Sequence, residues 1–301
     1  MKVFITGATG FVGKHIAGRL VEDGHELKCL VRSESSEEAW FLDGLGAQLF
    51  VGDITVPEPV ALAAEGSDAV VHLVGIIFER RGVSFRQVHV EGTRNALAAA
   101  RDAGARRFVH MSALGTSAEA TSEYHRTKWA AEENVRGSGL EYTIFRPSII
   151  YGPGSEFIEL LEGQIRRLPV VPVIGDGLYR MQPVSVFDVA ACFSASLESV
   201  DAVNKIYEIG GPAALSYDEV VAALAAAMGK RRRLVHLPVA LVRIAAWLSE
   251  IVQSKPFLTR DQLNMLIVDN VCDIGAMRRE LGVEPVAFAE GLREVFAEVR
   301  E

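Results

Sequence analysis

The chain has 301 residues, of which 49% are hydrophobic, and its 31 basic and 39 acidic side chains give a formal net charge of −8. This length and hydrophobic content suffice for one large buried core or two unequal ones. An acidic chain lacks the basic surface that binds a nucleic-acid backbone, so no nucleic-acid partner is expected.

The cysteines and the first residues of the sequence indicate the cellular compartment of the protein. Cys29, Cys192 and Cys272 are far apart in sequence, which indicates neither a disulfide framework nor a metal site. Met1 is followed at once by an apolar strand candidate, leaving no room for a signal peptide. No apolar run approaches the ~18 residues that cross a bilayer. The sequence therefore predicts a soluble, cytoplasmic protein.

Short apolar runs alternate with segments of helical period in the first half of the chain. The runs are rich in Val, Ile and Leu without polar alternation, which is typical of a parallel sheet covered by helices on both faces. The strand candidates are Lys2–Thr6, Glu26–Val31, Gln48–Val51, Ala69–Leu73, Arg107–His110 and Tyr142–Phe145. Helical periodicity is clearest over Phe11–Glu22 and Glu91–Ala103. This order predicts an α/β fold with a doubly wound parallel sheet, the Rossmann fold.

The pattern changes after Pro147, where turn signals crowd the chain and strands become sparse. Two capping boxes, Ser216 with Glu219 and Thr259 with Gln262, mark helix starts. We expect the Rossmann domain to occupy residues 1–150, with returning segments near 184–210. Residues 151–301 are expected to form a smaller, mainly helical substrate-binding part.

A glycine-rich segment, Thr6–Gly13, joins the first strand to the first helix. Gly7 permits a tight turn, Gly10 lets backbone N–H groups approach a pyrophosphate, and Gly13 lets the helix pack closely. The helix N-terminus supplies an anion site. A glycine-rich turn also occurs without a ligand, but this position favours dinucleotide binding. The residues of the segment expected to bind NAD(P) are Gly7, Thr9, Gly10, Phe11, Val12 and Gly13.

The second strand ends in Arg32 and Ser33, where an NAD enzyme often has a carboxylate for the ribose 2′-hydroxyl. Arginine grips a 2′-phosphate bidentately, and a solvated arginine at a loop start is the alternative. We therefore expect NADP(H) to be favoured over NAD(H). Further cofactor-binding residues are expected at the ends of the third and fourth strands, namely Asp53, Ile54, Leu73, Val74 and Gly75.

Tyr124 and Lys128 follow the fifth strand at a spacing that places both on one helical face. In a cleft, the ammonium favours the phenolate, so that Tyr124 exchanges a proton near neutral pH, and it can hold the nicotinamide ribose hydroxyls. The same spacing is common on solvated helix faces. The upstream glycine segment and the downstream Arg146-Pro147 favour a catalytic pair.

Several stretches together resemble the extended and atypical short-chain dehydrogenase/reductases, which include nucleotide-sugar epimerases and dehydratases. These stretches are TGATGFVG at Thr6–Gly13, GD at Gly52-Asp53, HLVG at His72–Gly75, EGTRNA at Glu91–Ala96, YHRTK at Tyr124–Lys128 and FRPSIIYGPG at Phe145–Gly154. HVEGT, MSALG, YHRTK and QPVSVFDVA are most similar to the atypical branch that includes the nucleotide-binding accessory subunit of respiratory complex I and its bacterial relatives. The resemblance covers most of the chain and implies a nicotinamide cofactor held also by Ser112, Tyr124, Lys128, Pro147 and Ser148.

Two positions depart from that family. Its catalytic Ser or Thr aligns with Ala113, although Ser112 could replace it if the alignment slips by one residue, and its Asn aligns with His89. The leading hypothesis is an NAD(P)-dependent oxidoreductase or epimerase/dehydratase-type enzyme. Hydride would move between nicotinamide C4 and a carbonyl or hydroxyl substrate of unknown identity, with Tyr124 as acid/base. The alternative is a catalytically quiet NADPH-binding structural or assembly protein of a respiratory or membrane complex.

A basic run at Lys230–Arg233 precedes the apolar stretch Pro238–Val252. At helical spacing, one apolar stripe of this stretch comprises Leu241, Ile244, Ala245, Leu248, Ile251 and Val252. The region is either a core-facing helix after a solvated basic loop or a patch that contacts an anionic membrane or a partner subunit.

Overall fold

The computed structural model describes the backbone of residues 1–80, 82–252 and 259–298, and the side chains of the same residues except 250–252 and 297–298. The strands are β1 (Lys2–Thr6), β2 (Glu26–Val31), β3 (Gln48–Val51), β4 (Ala69–His72), β5 (Arg107–Met111), β6 (Glu141–Pro147), β7 (Ile150–Tyr151), β8 (Val170–Ile174), β9 (Arg180–Met181), β10 (Val184–Ser185), β11 (Lys205–Ile209), β12 (Leu215–Ser216) and β13 (Arg233–Leu237). The helices are α1 (Phe11–Glu22), α2 (Glu37–Gly44), α3 (Pro57–Ala64), α4 (Gly92–Asp102), α5 (Glu123–Arg136), α6 (Glu156–Arg167), α7 (Val186–Glu198), α8 (Tyr217–Ala227), α9 (Val239–Val252), α10 (Arg260–Leu266), α11 (Gly275–Leu281) and α12 (Phe288–Glu298), with a π-turn (Arg86–Glu91) directly before α4.

Within the described residues, the main sheet has seven strands in the spatial order β3-β2-β1-β4-β5-β6-β11, and every neighbouring pair is parallel. The chain reverses its direction of travel between β1 and β4, where a doubly wound sheet opens a crevice at the carboxyl ends of its strands. The predicted fold class is confirmed. The first three strands have the predicted bounds, β4 ends one residue early, and the helix expected from Glu91 begins as a π-turn.

The strands lack polar alternation because both faces of the sheet are buried. Val3 and Ile5 of β1 share one hydrophobic cluster with Phe193 of α7, whereas Phe4 between them joins Leu97 of α4 in a second cluster on the opposite face. All three β1 side chains are fully buried, as expected for a sheet sandwiched between two helical layers.

The segments that return from the second half complete this sheet. β11 pairs with β6 at the sheet edge, and α7 packs along α1. The remaining chain contains more strand than the sequence predicted, as the short pairs β7–β10 and β9–β12 and the longer pair β8–β13. A third hydrophobic cluster lies between α6, α8, β8 and α12. No helix of the described residues is long and apolar enough to cross a bilayer.

Two glycines allow the backbone of α1 to approach the strand before it. A Cβ built on Gly13 would lie 2.1 Å from the carbonyl oxygen of Gly7, and Gly7 itself has a φ of +82° and backs onto the main chain of Val74. Only glycine accepts that φ without strain. The atoms in the way at Gly13 are backbone and cannot rotate aside, so this helix start has no room for a side chain.

We expect Gly13→Ala to lower the free energy of unfolding by ~1–3 kcal/mol, since overpacking of a close contact forces the backbone to shift. Gly18 lies in the same helix with nothing within 4 Å of a built Cβ. Gly18→Ala should therefore raise stability by up to ~1 kcal/mol through helix propensity alone. Urea unfolding of both variants measures the difference. Equal stabilities for the two variants would contradict the close approach of α1 to β1.

Candidate active site

A cavity of about 320 Å³ lies in the crevice between β1 and β4. Nine predicted cofactor-binding residues line it together: Gly7, Thr9, Gly10, Arg32, Asp53, Ile54, Leu73, Val74 and Gly75. Residues that the sequence did not single out also line it, among them Leu30, Thr55, Val83 and Gln87. Strand ends that are far apart in sequence therefore meet around one space, because the strands are parallel and end at the same sheet edge.

The N-terminus of α1 opens toward this cavity through Gly10. Gly10 is the N-cap of α1, provides no side-chain hydrogen bond, and is followed by a first turn without an acidic residue. The first N–H groups of a helix have no partner within the helix and carry partial positive charge. This end of α1 is consequently left free for an anionic group of a ligand.

Arg32 and Asp53 both line the cavity, and their opposite charges interact. The Asp53 carboxylate accepts hydrogen bonds from the Thr55 backbone and hydroxyl at 2.9 and 2.6 Å, and these bonds, with the nearby Arg32 charge, lower its pKa. Arg32 is exposed and makes no ion pair with a residue of the described chain. Its guanidinium is available to a ligand.

Gly75 connects the cavity to Lys128. A Cβ built on Gly75 would lie 3.0 Å from Lys128 Nζ and 3.6 Å from His89 Nε2. Any larger residue at position 75 would thus displace the ammonium group. The absence of a side chain brings the end of the cavity and the lysine into direct proximity, although they belong to distant parts of the sequence.

Lys128 lies in an environment that disfavours its charge. It is buried beside the sheet, and Nζ donates a hydrogen bond to the Met111 carbonyl at 3.0 Å. Burial lowers the Lys128 pKa to about 8, against a smaller opposing effect of the Glu132 carboxylate. The amine is therefore still mostly protonated at pH 7 but close to its titration.

The Tyr124 ring packs among aromatic rings one turn before Lys128. Its centroid lies 5.5 Å from the His89 ring, 6.0 Å from Phe85 and 5.2 Å from His125. Burial raises the Tyr124 pKa to about 12. The sequence predicts that Lys128 favours the phenolate, but in the structure desolvation dominates and the phenol is protonated at neutral pH.

His89 is locked as a neutral ring. Its Nε2 lies 3.1 Å from both the N–H and the carbonyl oxygen of Ile76, and Nδ1 lies 2.9 Å from the Thr127 hydroxyl. Burial and the Lys128 charge both lower the His89 pKa, to about 2. The residue ties the loop after β4 to α5.

Ser112, the possible substitute for the missing hydroxyl at Ala113, is already engaged. It is buried, and its Oγ donates to Glu132 at 2.5 Å. The same fully buried carboxylate accepts from Arg146 Nε and Nη2 at 2.9 and 2.7 Å and from Arg136 at 3.1 Å. Ser112 is thereby part of a charged network that joins α5 to β6.

The remaining predicted cofactor residues lie outside the cavity lining. Val12 packs into the core, and Ser33 Oγ pairs with Ser35 Oγ at 2.9 Å. Ser148 donates to the Asn270 side chain at 2.6 Å. Of the others, Phe11 and Gly13 lie in the first turn of α1, and Pro147 is the last residue of β6. No contact in the structure tests these residues as cofactor ligands, and their binding role stays a prediction.

Asp261 of α10, which no sequence pattern singles out, lies against the start of α5. Its carboxylate accepts from the backbone N–H of Glu123 at 3.1 Å and of Tyr124 at 3.4 Å. Ser122 caps the next N–H in the same turn, that of His125. The predicted capping box at Thr259 and Gln262 is confirmed, but a capping box indicates a helix start and not what the helix contacts.

The chain is similar to known proteins both in sequence and in fold. The profile described as "NAD dependent epimerase/dehydratase family" matches residues 3–210. A ceramide reductase of Caulobacter vibrioides is 34% identical over 241 residues, covering 78% of the chain and 73% of that protein. The mitochondrial NADH dehydrogenase (ubiquinone) 1 alpha subcomplex subunit 9 of Arabidopsis thaliana is 29% identical, covering 91% of the chain and 71% of that protein. The fold also matches a crystal structure of a dTDP-glucose 4,6-dehydratase from Streptomyces venezuelae, with a TM-score of 0.79 at 23% identity over 100% of the chain and 97% of the other.

The depressed Lys128 pKa predicts a specific pH dependence of stability. A charged amine that is buried destabilises the folded chain below pH 8, and this penalty disappears by pH 10.5, the ordinary lysine pKa. Lys128→Met should therefore unfold at higher urea at pH 7, with a gain of about 2 kcal/mol after the loss of one hydrogen bond. The gain should shrink steadily between pH 8 and 10.5. A gain that is constant with pH would show that Lys128 titrates at its ordinary value.

Proposed function

The chain belongs to the NAD dependent epimerase/dehydratase family, and we propose that it is an NADP(H)-dependent oxidoreductase acting on a carbonyl or hydroxyl substrate. Family membership and the reductase among its relatives support an oxidoreductase-type function. The observation that carries the finer proposal is the contact at Gly75. It joins a cavity suited to a dinucleotide to Lys128, one helical turn from Tyr124.

The residues around the cavity fit a nicotinamide dinucleotide. A pyrophosphate would be held by the uncapped N-terminus of α1 at Gly10, and the adenosine half by the rim that contains Arg32 and Asp53. The nicotinamide half would extend toward Gly75. When bound, the cofactor supplies or accepts a hydride at nicotinamide C4.

The preference for NADP(H) follows from the charge at the rim. A phosphate on the adenosine ribose needs a cation, and the Arg32 guanidinium is exposed and without an ion-pair partner in the described chain. Asp53 is the one carboxylate among the described residues that line the cavity, and its Oδ1 accepts two hydrogen bonds from Thr55. It follows β3, whereas the carboxylate with which an NAD enzyme binds the ribose hydroxyls follows the second strand.

NADPH should bind at least ~10-fold more tightly than NADH, because a charge-assisted pair with the 2′-phosphate is available to only one of them. Arg32→Ala should remove most of that difference while leaving the NADH dissociation constant unchanged, which makes NADH the internal control. Fluorescence titration of wild type and variant with both cofactors measures it. Equal affinities in the wild type would remove Arg32 from the binding site.

The state of Tyr124 favours the reductive direction. A phenol with a pKa of about 12 is protonated at neutral pH and can donate its proton to a carbonyl oxygen as negative charge develops there. Lys128 would assist through its positive charge, which stabilises the phenolate left after the transfer. The reverse reaction would first require removal of the phenolic proton, which burial makes costly.

Tyr124→Phe should abolish turnover while changing NADPH affinity by no more than about twofold, since only the ionisable oxygen is lost. The assay is NADPH consumption with a panel of ketones, keto-sugars and 3-oxoacyl compounds. Lys128→Met, the comparison variant, should weaken both turnover and cofactor binding. A Tyr124→Phe variant as active as wild type would show that another group supplies the proton.

A second candidate function is supported by the missing hydroxyl. Ala113 lacks a donor, and the Ser112 hydroxyl is committed to Glu132. A relative is moreover a subunit of a respiratory NADH dehydrogenase by its name.

A catalytically quiet NADPH-binding protein would show a large rise in melting temperature with NADPH. It would show no turnover in the wild type or in Ala113→Ser, whereas turnover of any panel member by the wild type excludes this candidate.

A further inference from the structure

Helix α9 exposes its large apolar side chains and buries small ones, which is the reverse of what a core helix does. Of its described side chains, only Ala246 and Ser249 are buried, whereas Leu241 is 63% exposed, Ile244 56% and Leu248 49%. These large residues follow the spacing of one helical stripe. The interpretation of this stretch as core-facing is therefore wrong for the described residues; the side chains of Ile251 and Val252 lie outside them.

The strand that directly precedes the helix in sequence also exposes apolar side chains. On β13, residues 233, 235 and 237 share one face, and Val235 and Leu237 are 43% and 37% exposed. Their partner strand β8 adds Val170, which is paired with Arg233. Pro238 alone separates this strand from α9. Single exposed apolar residues are ordinary, whereas many of them on two consecutive elements indicate an interaction surface.

Basic residues flank this surface in a chain that is otherwise acidic. Lys230, Arg231 and Arg233 are exposed or half-exposed and form no ion pair within the described residues. Arg232 between them donates to the Ile165 carbonyl. Residues 239–249 of α9 contain a single charged residue, Arg243. The surface thus offers apolar side chains and cationic donors, and the first carboxylate of α9 is that of Glu250, which follows this stretch.

A groove along α9 combines the two properties. It has a volume of about 520 Å³ and is lined by Val239, Ala240, Arg243, Ile244, Trp247 and Arg260. An acyl chain fits such an apolar lining, and a phosphate fits the guanidinium of Arg243. Trp247 is 46% exposed, and tryptophan is the residue that favours the boundary between headgroups and acyl chains.

We propose that α9 and the adjoining strand β13 form a peripheral docking surface for an anionic lipid bilayer. The apolar stripe of α9 enters the headgroup boundary while Lys230, Arg231 and Arg233 contact lipid phosphates. Charge complementarity favours this occupant over a second copy of the chain, because a two-fold contact through the same surface would bring two basic runs together. The helix lies on the membrane and does not cross it.

Flotation of the full-length protein with vesicles tests the proposal without any cofactor or substrate. Binding should be strong to phosphatidylcholine vesicles that contain about one-third phosphatidylglycerol, weak to phosphatidylcholine alone, and reduced by high salt. Leu241→Glu should lower the partition constant at least ~10-fold. The matched control is Leu62→Glu, a change at a residue of α3 that is 57% exposed; it should bind as the wild type does.

Two further measurements complete the test. Replacing Arg231 and Arg233 by alanine should weaken binding about fivefold for each charge removed. Tryptophan emission should shift to the blue on addition of anionic vesicles, and Trp247→Phe should abolish the shift. The proposal is overturned if wild type does not float, or if Leu241→Glu and Leu62→Glu bind equally. Sedimentation velocity showing a dimer that Leu241→Glu dissociates, without vesicle binding, would assign the surface to a second copy instead.

Discussion

The close approach of the backbone of α1 to that of β1 and β4 determines the shape of the cavity. With Gly13 seated on the Gly7 carbonyl and Gly7 backed onto Val74, three elements converge with no side chain between them. The hydrophobic core on the α1 side of the sheet prevents this junction from relaxing, because Ile16 and Leu20 of α1 are fully buried in it. The uncapped end of α1 is thereby held against the crevice, and an anion bound there would meet N–H groups that are already in place.

Burial lowers the Lys128 pKa, and the groups around the amine supply little negative charge to oppose this effect. His72, His89 and His110 around it are buried, and burial together with the Lys128 charge lowers the pKa of each. These rings are consequently neutral and neither repel nor compensate the ammonium. Glu132, whose charge raises the Lys128 pKa, is occupied by Arg146 and Ser112. A ligand hydroxyl near Gly75 would therefore meet a cation whose charge is only weakly balanced, which strengthens its hydrogen bond.

The parts of the fold that depend on local pattern could be predicted from the sequence, and those that depend on long-range contacts could not. Gly7, Gly10 and Gly13 indicate a tight turn and a close helix on their own, and all-apolar runs indicate strands buried on both faces. The hydrogen bond from Ser112 to Glu132, by contrast, depends on α5 lying against the end of β5. Asp261 accepts a hydrogen bond from the backbone N–H of Tyr124, 137 residues away in the sequence. No spacing rule links the two residues. The stripe on α9 was visible as a pattern, but periodicity alone does not say whether an apolar face points inward or outward.

Helix α9 is also linked to the proposed catalytic pair through α10, which packs against it. Asp261 of α10 holds the first turn of α5, in which Tyr124 lies. A carboxylate at a helix N-terminus is stabilised by the N–H groups it accepts from and by the helix dipole, so a shift of α10 would weaken bonds within the turn that positions the phenol. The large apolar residues of α9 face outward at a cost of ~25 cal/mol for each Å² of apolar surface left in water. Contact with an apolar medium would remove that cost and fix α9, and with it the helix that bears Asp261. The same surface that anchors the protein would then also steady the ring of Tyr124.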